Sequence, residues 1–311
     1  MSGHVVFGTG QVGSHLVAQL LHGGREVTAV SRSGRRQFTG ATNIVGDATD
    51  PTFTKEVSTG ADVVYFCLDA PDYHRWPEQF PPLQHGVLTA AQAAGARLVV
   101  LENLYGYGPV DGRELDESLP LAATSAKGRT RGAMTEELLD AHRAGTVEVA
   151  IGRASDYFGP WATHSALGEL VFASALAGKS AQVMGDPDRP HSYSYTPDVA
   201  SGLIALGADA RAGGAVWHLP VAETWTTRQV VEYVYGLARS KPKLFAAGRT
   251  SLWLYGLVKP EMREYLHTLY QFTDDWTVSD ARFRATFGDL STPLPDALGT
   301  TLDWYATAPT A

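Results

Sequence analysis

The chain has almost no cysteine and carries an excess of negative charge. Its 311 residues include one cysteine, and 25 lysine and arginine side chains stand against 33 acidic ones, for a net charge of −8. The single Cys67 excludes an intramolecular disulfide and fits no metal-ligand spacing, so we expect a reducing compartment, the cytoplasm, and no metal. The acidic balance argues against a nucleic-acid surface, which needs clustered Lys and Arg.

Long apolar runs are also missing. No stretch approaches the roughly 18 apolar residues of a membrane helix, and the first residues lack the basic and apolar regions of a signal peptide. The sequence therefore predicts a soluble, unprocessed protein that contacts neither membrane nor nucleic acid. Its expected partner is a small molecule.

Short β-branched runs alternate with segments of helical period. The runs lie at 4–7, 26–30, 42–46, 61–68, 96–103, 147–153 and 215–220. The intervening segments 14–24 and 83–95 repeat apolar residues at helical spacing and end in glycine. Strands that are apolar on both faces and alternate with helices predict an α/β fold, a doubly wound parallel sheet of the Rossmann type.

The alternation loosens from about residue 155, and aromatic residues concentrate between 217 and 287. This change predicts a smaller C-terminal lobe that binds the substrate. We expect an NADP-binding Rossmann domain at 1–155 together with 190–220, and the lobe at 156–189 together with 221–311.

A glycine-rich loop follows the first predicted strand. Gly8 would allow a tight turn, Gly10 a close approach of the backbone to a pyrophosphate, and Gly13 close packing of helix on sheet. Gln11 and Val12 complete the loop, and the helix that follows would point its N-terminus at the phosphates. The position after a strand and before an amphipathic helix favours a dinucleotide over a plain βα turn.

The end of the second strand decides between NAD and NADP. About 20 residues past the glycines, NAD enzymes carry a carboxylate, but this chain has Arg32 there. An arginine at this position favours binding of the 2′-phosphate of NADPH. The alternative is that the basic loop is simply solvated. The expected ligands of that phosphate are Ser31, Arg32, Ser33 and Arg36. Asp47, with Ala48, follows the third strand and is expected to contact adenine or to cap a turn.

The chain resembles the extended short-chain dehydrogenase/reductases, and more closely their atypical NAD-dependent epimerase/dehydratase-like branch. The motifs that carry the resemblance are FGTGQVG (7–13), GDATD (46–50), ENLYGYGP (102–109), KGRTR (127–131), GRASDYFGP (152–160) and HSYSYTPDVASGL (191–203). Ordinary members use a Ser, a Tyr and a Lys, where the Tyr protonates the carbonyl oxygen and the Lys binds the nicotinamide ribose. The resemblance makes Lys127 the ribose ligand, but it puts Asn103 at the Ser position and Ala123 at the Tyr position.

Another group must therefore stabilise the developing alkoxide. A phenol of the chain could do so (Tyr105, Tyr107 or Tyr157). So could another hydroxyl, an amide or an amine of the chain, or a hydroxyl of the substrate. Our candidates for catalysis are Asn103, Ser155 and Lys127. The alternatives are a turn-capping Asn, a turn Ser and a solvated Lys.

Aromatic side chains follow the carboxyl ends of the fourth, fifth and sixth strands. The expected substrate-binding residues are Tyr73, Trp76, Tyr105, Tyr157, Phe158 and Trp161. They favour a flat, apolar substrate, although packing between lobes is an alternative role. His164 and His191 could also be substrate donors, although a lone histidine is more often structural. In sugar-nucleotide relatives a cation near Arg189 would touch the substrate phosphate, whereas here it could make an ion pair.

Taken with the resemblance to angucyclinone and other aromatic polyketide ketoreductases of antibiotic biosynthesis, these features predict an NADPH-dependent ketoreductase without the usual catalytic Tyr. The alternatives are a sugar-nucleotide epimerase or dehydratase and a non-catalytic NADP(H) sensor of the NmrA type. Family members often pair as homodimers through helices, but segment 83–95 could equally pack internally.

Overall fold

A parallel sheet of seven strands forms the centre of the fold in the computed structural model, which describes residues 3–257 and 260–307. In chain order the strands are β1 (Gly3–Phe7), β2 (Glu26–Ser31), β3 (Thr42–Val45), β4 (Val63–Phe66), β5 (Arg97–Glu102), β6 (Val149–Arg153), β7 (Asp156–Phe158), β8 (Ala181–Met184), β9 (Pro190–His191), β10 (Tyr193–Tyr195), β11 (Ala215–His218), β12 (Trp225–Thr226) and β13 (Leu244–Ala247). The large sheet has the order β11-β6-β5-β4-β1-β2-β3. Every apolar run that predicted a strand lies in this sheet, and the Rossmann fold is confirmed.

Helices cover both faces of the sheet. In chain order the helices of the described ranges are α1 (Gly13–His22), α2 (Pro51–Val57), α3 (Trp76–Ala94), α4 (Ala126–Arg143), α5 (Phe172–Leu176), α6 (Thr196–Ala208), α7 (Thr227–Leu237), α8 (Arg249–Tyr255), α9 (Tyr270–Thr273), α10 (Ala281–Phe287) and α11 (Leu294–Thr307). Short 3₁₀ turns lie at Tyr73–Arg75, Ala210–Ala212 and Pro260–His267.

Alternate residues of each central strand serve two separate cores. Val64 and Phe66 of β4 pack with α3 and α4 on one face, whereas Val63 and Tyr65 pack with α1 and α6 on the other. Since side chains alternate along a strand and both faces are covered, the strand must be apolar throughout. This is why these strands appear in the sequence as continuous apolar runs.

The C-terminal half adds a third apolar core, to which α5, α7 and α11 contribute. Three two-stranded sheets accompany it, with β7 beside β10, β8 beside β13 and β9 beside β12. Helices α6 and α10 lie instead against the large sheet, α10 through Phe283. The division into two domains stays a prediction.

None of the helices in the described ranges combines the length and the apolar character needed to cross a membrane.

Candidate functional site

The glycine loop joins β1 to α1 beside β4. Gly8 has a φ of 101°, and a Cβ there would lie 2.4 Å from the carbonyl oxygen of Cys67. A Cβ on Gly13 would lie 1.8 Å from the carbonyl oxygen of Gly8. Any side chain at these two positions would collide with backbone, so the turn can form only with glycine.

Gly10 differs from its neighbours because a Cβ there would meet no atom within 4 Å. The space it leaves open lies at the start of α1, which begins without a side-chain cap at Val12. The first N–H groups of a helix carry partial positive charge and lack helical partners, so they favour an anion. The open space and the uncapped helix fit the pyrophosphate of a dinucleotide.

The basic loop after β2 reaches back to the glycine loop through Arg36. Its Nη1 donates to Ser14 Oγ at 2.5 Å and to the Gly10 carbonyl oxygen at 3.4 Å. The guanidinium also lies 4.9 Å from the centroid of the Trp161 ring. Arg32 is exposed and makes no hydrogen bond to the described residues, so Arg36 is the arginine that packing holds at the loop.

The other expected cofactor ligands lie near the same strand ends. Ser31 Oγ accepts from Gly34 N at 3.2 Å, and Ser33 Oγ accepts from Arg35 N at 3.4 Å. The exposed Asp47 accepts from Thr49 N at 2.9 Å, while Ala48 is buried. The Asp47 side chain thus makes the turn hydrogen bond that the sequence leaves as its alternative role.

Three of the expected substrate residues come together at the carboxyl end of the sheet. Tyr73 Oη donates to Tyr105 Oη at 3.1 Å, and the ring of Trp76 stacks on Tyr105 with centroids 5.5 Å apart. Tyr265 stacks on Tyr73 at 5.2 Å, and Thr268 Oγ1 lies 3.3 Å from Tyr73 Oη. We call Tyr73, Trp76, Tyr105 and Tyr265 the aromatic wall.

Sequence reasoning missed Tyr265 and Thr268. The only signal was the concentration of aromatic residues between 217 and 287, which does not say which of them face the sheet. Burial raises the pKa of Tyr73 to about 12 and that of Tyr105 well above its usual range. Both hydroxyls are therefore neutral donors at physiological pH.

The other three expected substrate residues lie elsewhere. Trp161 packs on His15 of α1, with ring centroids 4.6 Å apart, on the side of the cofactor loop. Phe158 is fully buried in the C-terminal core against Tyr195, 5.3 Å between centroids. Tyr157 packs against the sheet core, and burial raises its pKa.

Lys127 is a buried cation in the first turn of α4. Its ammonium lies 4.1 Å from the centroid of the Tyr73 ring and pairs with Glu264. Ser125 caps the helix by accepting from Gly128 N at 3.1 Å. The position four residues before Lys127, where the resemblance expects a Tyr, holds Ala123. The phenol that contacts Lys127 is instead that of Tyr73, from the segment after β4.

Asn103 and Ser155, at the ends of β5 and β6, have different surroundings. Asn103 Oδ1 accepts from Tyr105 N at 3.1 Å and so shapes the turn that carries Tyr105, one member of the aromatic wall. Ser155 is 6% exposed, and its Oγ has no hydrogen-bond partner among the described residues. Because an unsatisfied buried hydroxyl costs about 1–3 kcal/mol, this oxygen fits a polar group of a ligand.

Tyr107, one of the three phenols considered as a proton source, lies in a separate buried network. Its hydroxyl lies 2.8 Å from His218 Nε2, and its ring lies under Arg153, 4.8 Å from Cζ to centroid. Arg153 Nε donates to Glu102 Oε2 at 3.1 Å. With its hydroxyl engaged by His218, Tyr107 is a structural residue.

Comparison with known proteins gives one family match. The model of the NAD dependent epimerase/dehydratase family matches residues 5–219. A curated relative, the uncharacterized protein y4nL of Sinorhizobium fredii, is 28% identical over 152 residues. That match covers 48% of this chain and 42% of the relative, so the chain spans less than half of that protein's length.

Solved structures show the same fold over nearly the whole chain. A dTDP-glucose 4,6-dehydratase from Streptomyces venezuelae with NAD bound has a TM-score of 0.80 at 19% identity, over 99% of this chain and 97% of that one. An epimerase from Methanothermobacter thermautotrophicus has 0.81 at 16%, over 98% and 92%. A UDP-glucuronic acid 4-epimerase from Bacillus cereus in complex with NAD has 0.78 at 16%, over 98% and 96%.

Proposed function

Since the chain belongs to the NAD dependent epimerase/dehydratase family, we propose that it is an NADPH-dependent ketoreductase acting on an apolar ketone of the aromatic polyketide type. The observation that carries the proposal is the aromatic wall beside Lys127 and at the carboxyl end of the sheet. In doubly wound folds this edge is where ligands bind. Stacked aromatic rings suit a flat, apolar substrate.

Two cations that already pair with carboxylates support this substrate class over a nucleotide sugar, whose diphosphate needs free cations. Arg189, the cation expected near such a phosphate, has its Nη1 3.4 Å from Asp275 Oδ1 and its Nε 3.5 Å from Asp186 Oδ2. Lys127 is paired with Glu264. A sugar diphosphate would have to compete with carboxylates at both positions.

The residues that would hold NADPH are those of the glycine loop, the basic loop after β2, and Lys127. When bound, the cofactor supplies a hydride to the ketone carbon. The chain's own residues position the ketone: the rings of the aromatic wall hold its plane, and the unpartnered Ser155 hydroxyl donates to its oxygen. That hydrogen bond would stabilise the charge that develops on the oxygen.

Cofactor preference is tested by replacing Arg36 with alanine. Loss of hydrogen bonds to a charged phosphate costs about 1.5–3 kcal/mol, so the KM for NADPH should rise about 10- to 100-fold. The KM for NADH, which has no 2′-phosphate, should change by less than about threefold, within the reach of ordinary surface substitutions.

In Arg32→Ala the KM for NADPH should also rise more than the KM for NADH, but less than in Arg36→Ala, because this exposed side chain is not held at the loop. Arg35→Ala is the matched control in the same segment and should leave both constants unchanged. Equal rises in the KM for NADPH and in the KM for NADH in Arg36→Ala would contradict the assignment of Arg36 to the 2′-phosphate.

The reaction is tested by following NADPH consumption with a panel of flat ketones, among them quinones with and without hydroxyl groups, beside nucleotide sugars. We expect turnover with the quinones and none with the sugars. The structural neighbours named for dehydratase and epimerase activity favour the competing function, which conversion of a nucleotide sugar would support. Tight NADPH binding without consumption of any substrate would instead indicate a sensor.

A further inference from the structure

Asp156 and His191 form a partly buried hydrogen-bonded pair next to Ser155. His191 Nε2 lies 3.0 Å from Asp156 Oδ2, and His191 is 2% exposed. The opposite ring nitrogen, Nδ1, lies 3.0 Å from the carbonyl oxygen of Gln271. The rings of Tyr193 and Phe272 pack on the imidazole, with centroids 4.3 and 5.0 Å away. These contacts hold the imidazole in one orientation.

The partners of the two ring nitrogens determine how many protons the pair holds. A carbonyl oxygen only accepts, so Nδ1 must carry a hydrogen. The contact of Nε2 with Asp156 Oδ2 then needs a second proton, because a bare nitrogen and a bare carboxylate would face each other as two acceptors. The pair therefore holds a proton that it can give up, as imidazolium with carboxylate or as imidazole with carboxylic acid.

The pair is linked to the aromatic wall through Gln271 and Thr268. Gln271, whose carbonyl oxygen contacts His191, donates its N–H to the Thr268 carbonyl oxygen at 3.1 Å, and the Thr268 hydroxyl lies 3.3 Å from Tyr73 Oη. Asp156 Oδ1 forms no hydrogen bond with the described residues, and the side chain is 19% exposed. Burial, and to a smaller extent the charge of Asp156, raises the pKa values of Tyr73 and Tyr105. Asp156 thus lies within electrostatic reach of the phenols that would hold the ketone, and it directly follows the unpartnered Ser155.

We propose that Asp156 is the catalytic residue that protonates the ketone oxygen, and that His191 positions it and supplies its proton. This inference rests on the proposed function. The ketone carbon gains a hydride from NADPH, the electron pair of the C=O π bond moves to oxygen, and the oxygen takes the shared proton. The pair is left as a carboxylate and a neutral imidazole, and it takes up one proton from the bulk solvent, so that each turnover consumes one proton.

The phenols near the pair do not compete for this role at neutral pH. They are the phenols of Tyr73, Tyr105, Tyr157, Tyr193 and Tyr270, whose pKa values burial raises. Each phenol therefore stays protonated and is a weaker acid than an ordinary tyrosine.

The kinetic test uses Asp156→Asn with phenanthrenequinone, a flat diketone without a hydroxyl that could supply the proton itself. We expect kcat to fall about 100-fold or more, the usual contribution of a general acid, while KM and NADPH binding stay within about threefold. His191→Gln should also lower kcat without raising KM. Asp275→Asn, which removes an exposed carboxylate paired with Arg189, is the matched control and should keep the wild-type kcat.

The second readout is independent of turnover. In isotope-labelled protein the His191 ring, identified by its absence in His191→Gln, should show protons on both nitrogens in NMR spectra of the wild type. In Asp156→Asn, Nε2 should lose its proton, because the amide can donate to it.

The outcomes separate the two proposals. A wild type that reduces phenanthrenequinone while Asp156→Asn keeps its kcat overturns the assignment of Asp156 alone, as does a His191 ring with one proton. A wild type that consumes no NADPH with any ketone overturns the proposed function, and the inference with it.

Discussion

Replacing Glu102 by alanine is expected to lower the free energy of unfolding by about 3–5 kcal/mol, the usual cost of breaking a buried ion pair from one side. Glu102 is 1% exposed and Arg153 is 4% exposed, so the guanidinium would stay buried without its counter-charge. Thr135 Oγ1 also lies 3.0 and 2.9 Å from the two carboxylate oxygens, and its hydroxyl would lose this acceptor. Chemical denaturation of the two proteins measures the difference.

A matched control is available on the surface. Asp188 pairs with Arg228 at 2.6 Å, but both side chains are largely exposed. Exposed pairs contribute about 0–1 kcal/mol, so Asp188→Ala should be nearly neutral. A loss below 1 kcal/mol in Glu102→Ala would mean that water reaches the Arg153 side chain.

Alanine at Gly10 is expected to remove most of the affinity for the dinucleotide without loss of stability. The added Cβ enters the space where the backbone would approach the pyrophosphate, but it meets no protein atom within 4 Å. Losing even two hydrogen bonds to a charged group, at about 1.5 kcal/mol each, weakens binding by about 100-fold. Titration of NADPH by fluorescence, together with thermal unfolding, tests both halves of the prediction.

Two further glycines provide the comparison. Gly13→Ala should lower both affinity and stability, because its Cβ would collide with the Gly8 carbonyl. Gly236→Ala, in the exposed part of α7 with open space around it, should change neither affinity nor fold. Unchanged NADPH affinity in Gly10→Ala would show that the loop is only a turn.

Much of the cofactor side was predictable from the sequence because its determinants are local. The glycine loop spans residues 8–13 and lies between a strand that its apolar run predicts and a helix that its apolar spacing predicts. The choice among the arginines of the basic loop was not predictable. Arg36, rather than Arg32, reaches Ser14 and Trp161, and that depends on how three separate segments meet.

The substrate side was predictable in composition but not in arrangement. Tyr73, Trp76 and Tyr105 follow strand ends and do come together, whereas Phe158 and Trp161 follow a strand end and turn away. Residue type and position after a strand cannot separate these cases, because the path of the loop beyond the strand sets the direction of each ring.

The sequence by itself determined the sheet, its two apolar faces and the loop that a dinucleotide requires, because strand period, helix period and glycine geometry act between neighbours in the chain. Only the tertiary structure decided which groups meet at the carboxyl edge of the sheet. Glu264 reaches Lys127 across 137 residues, and His191 reaches Asp156 across 35. Such pairs form when separate elements pack on one another, and no local sequence pattern predicts which distant residues will meet.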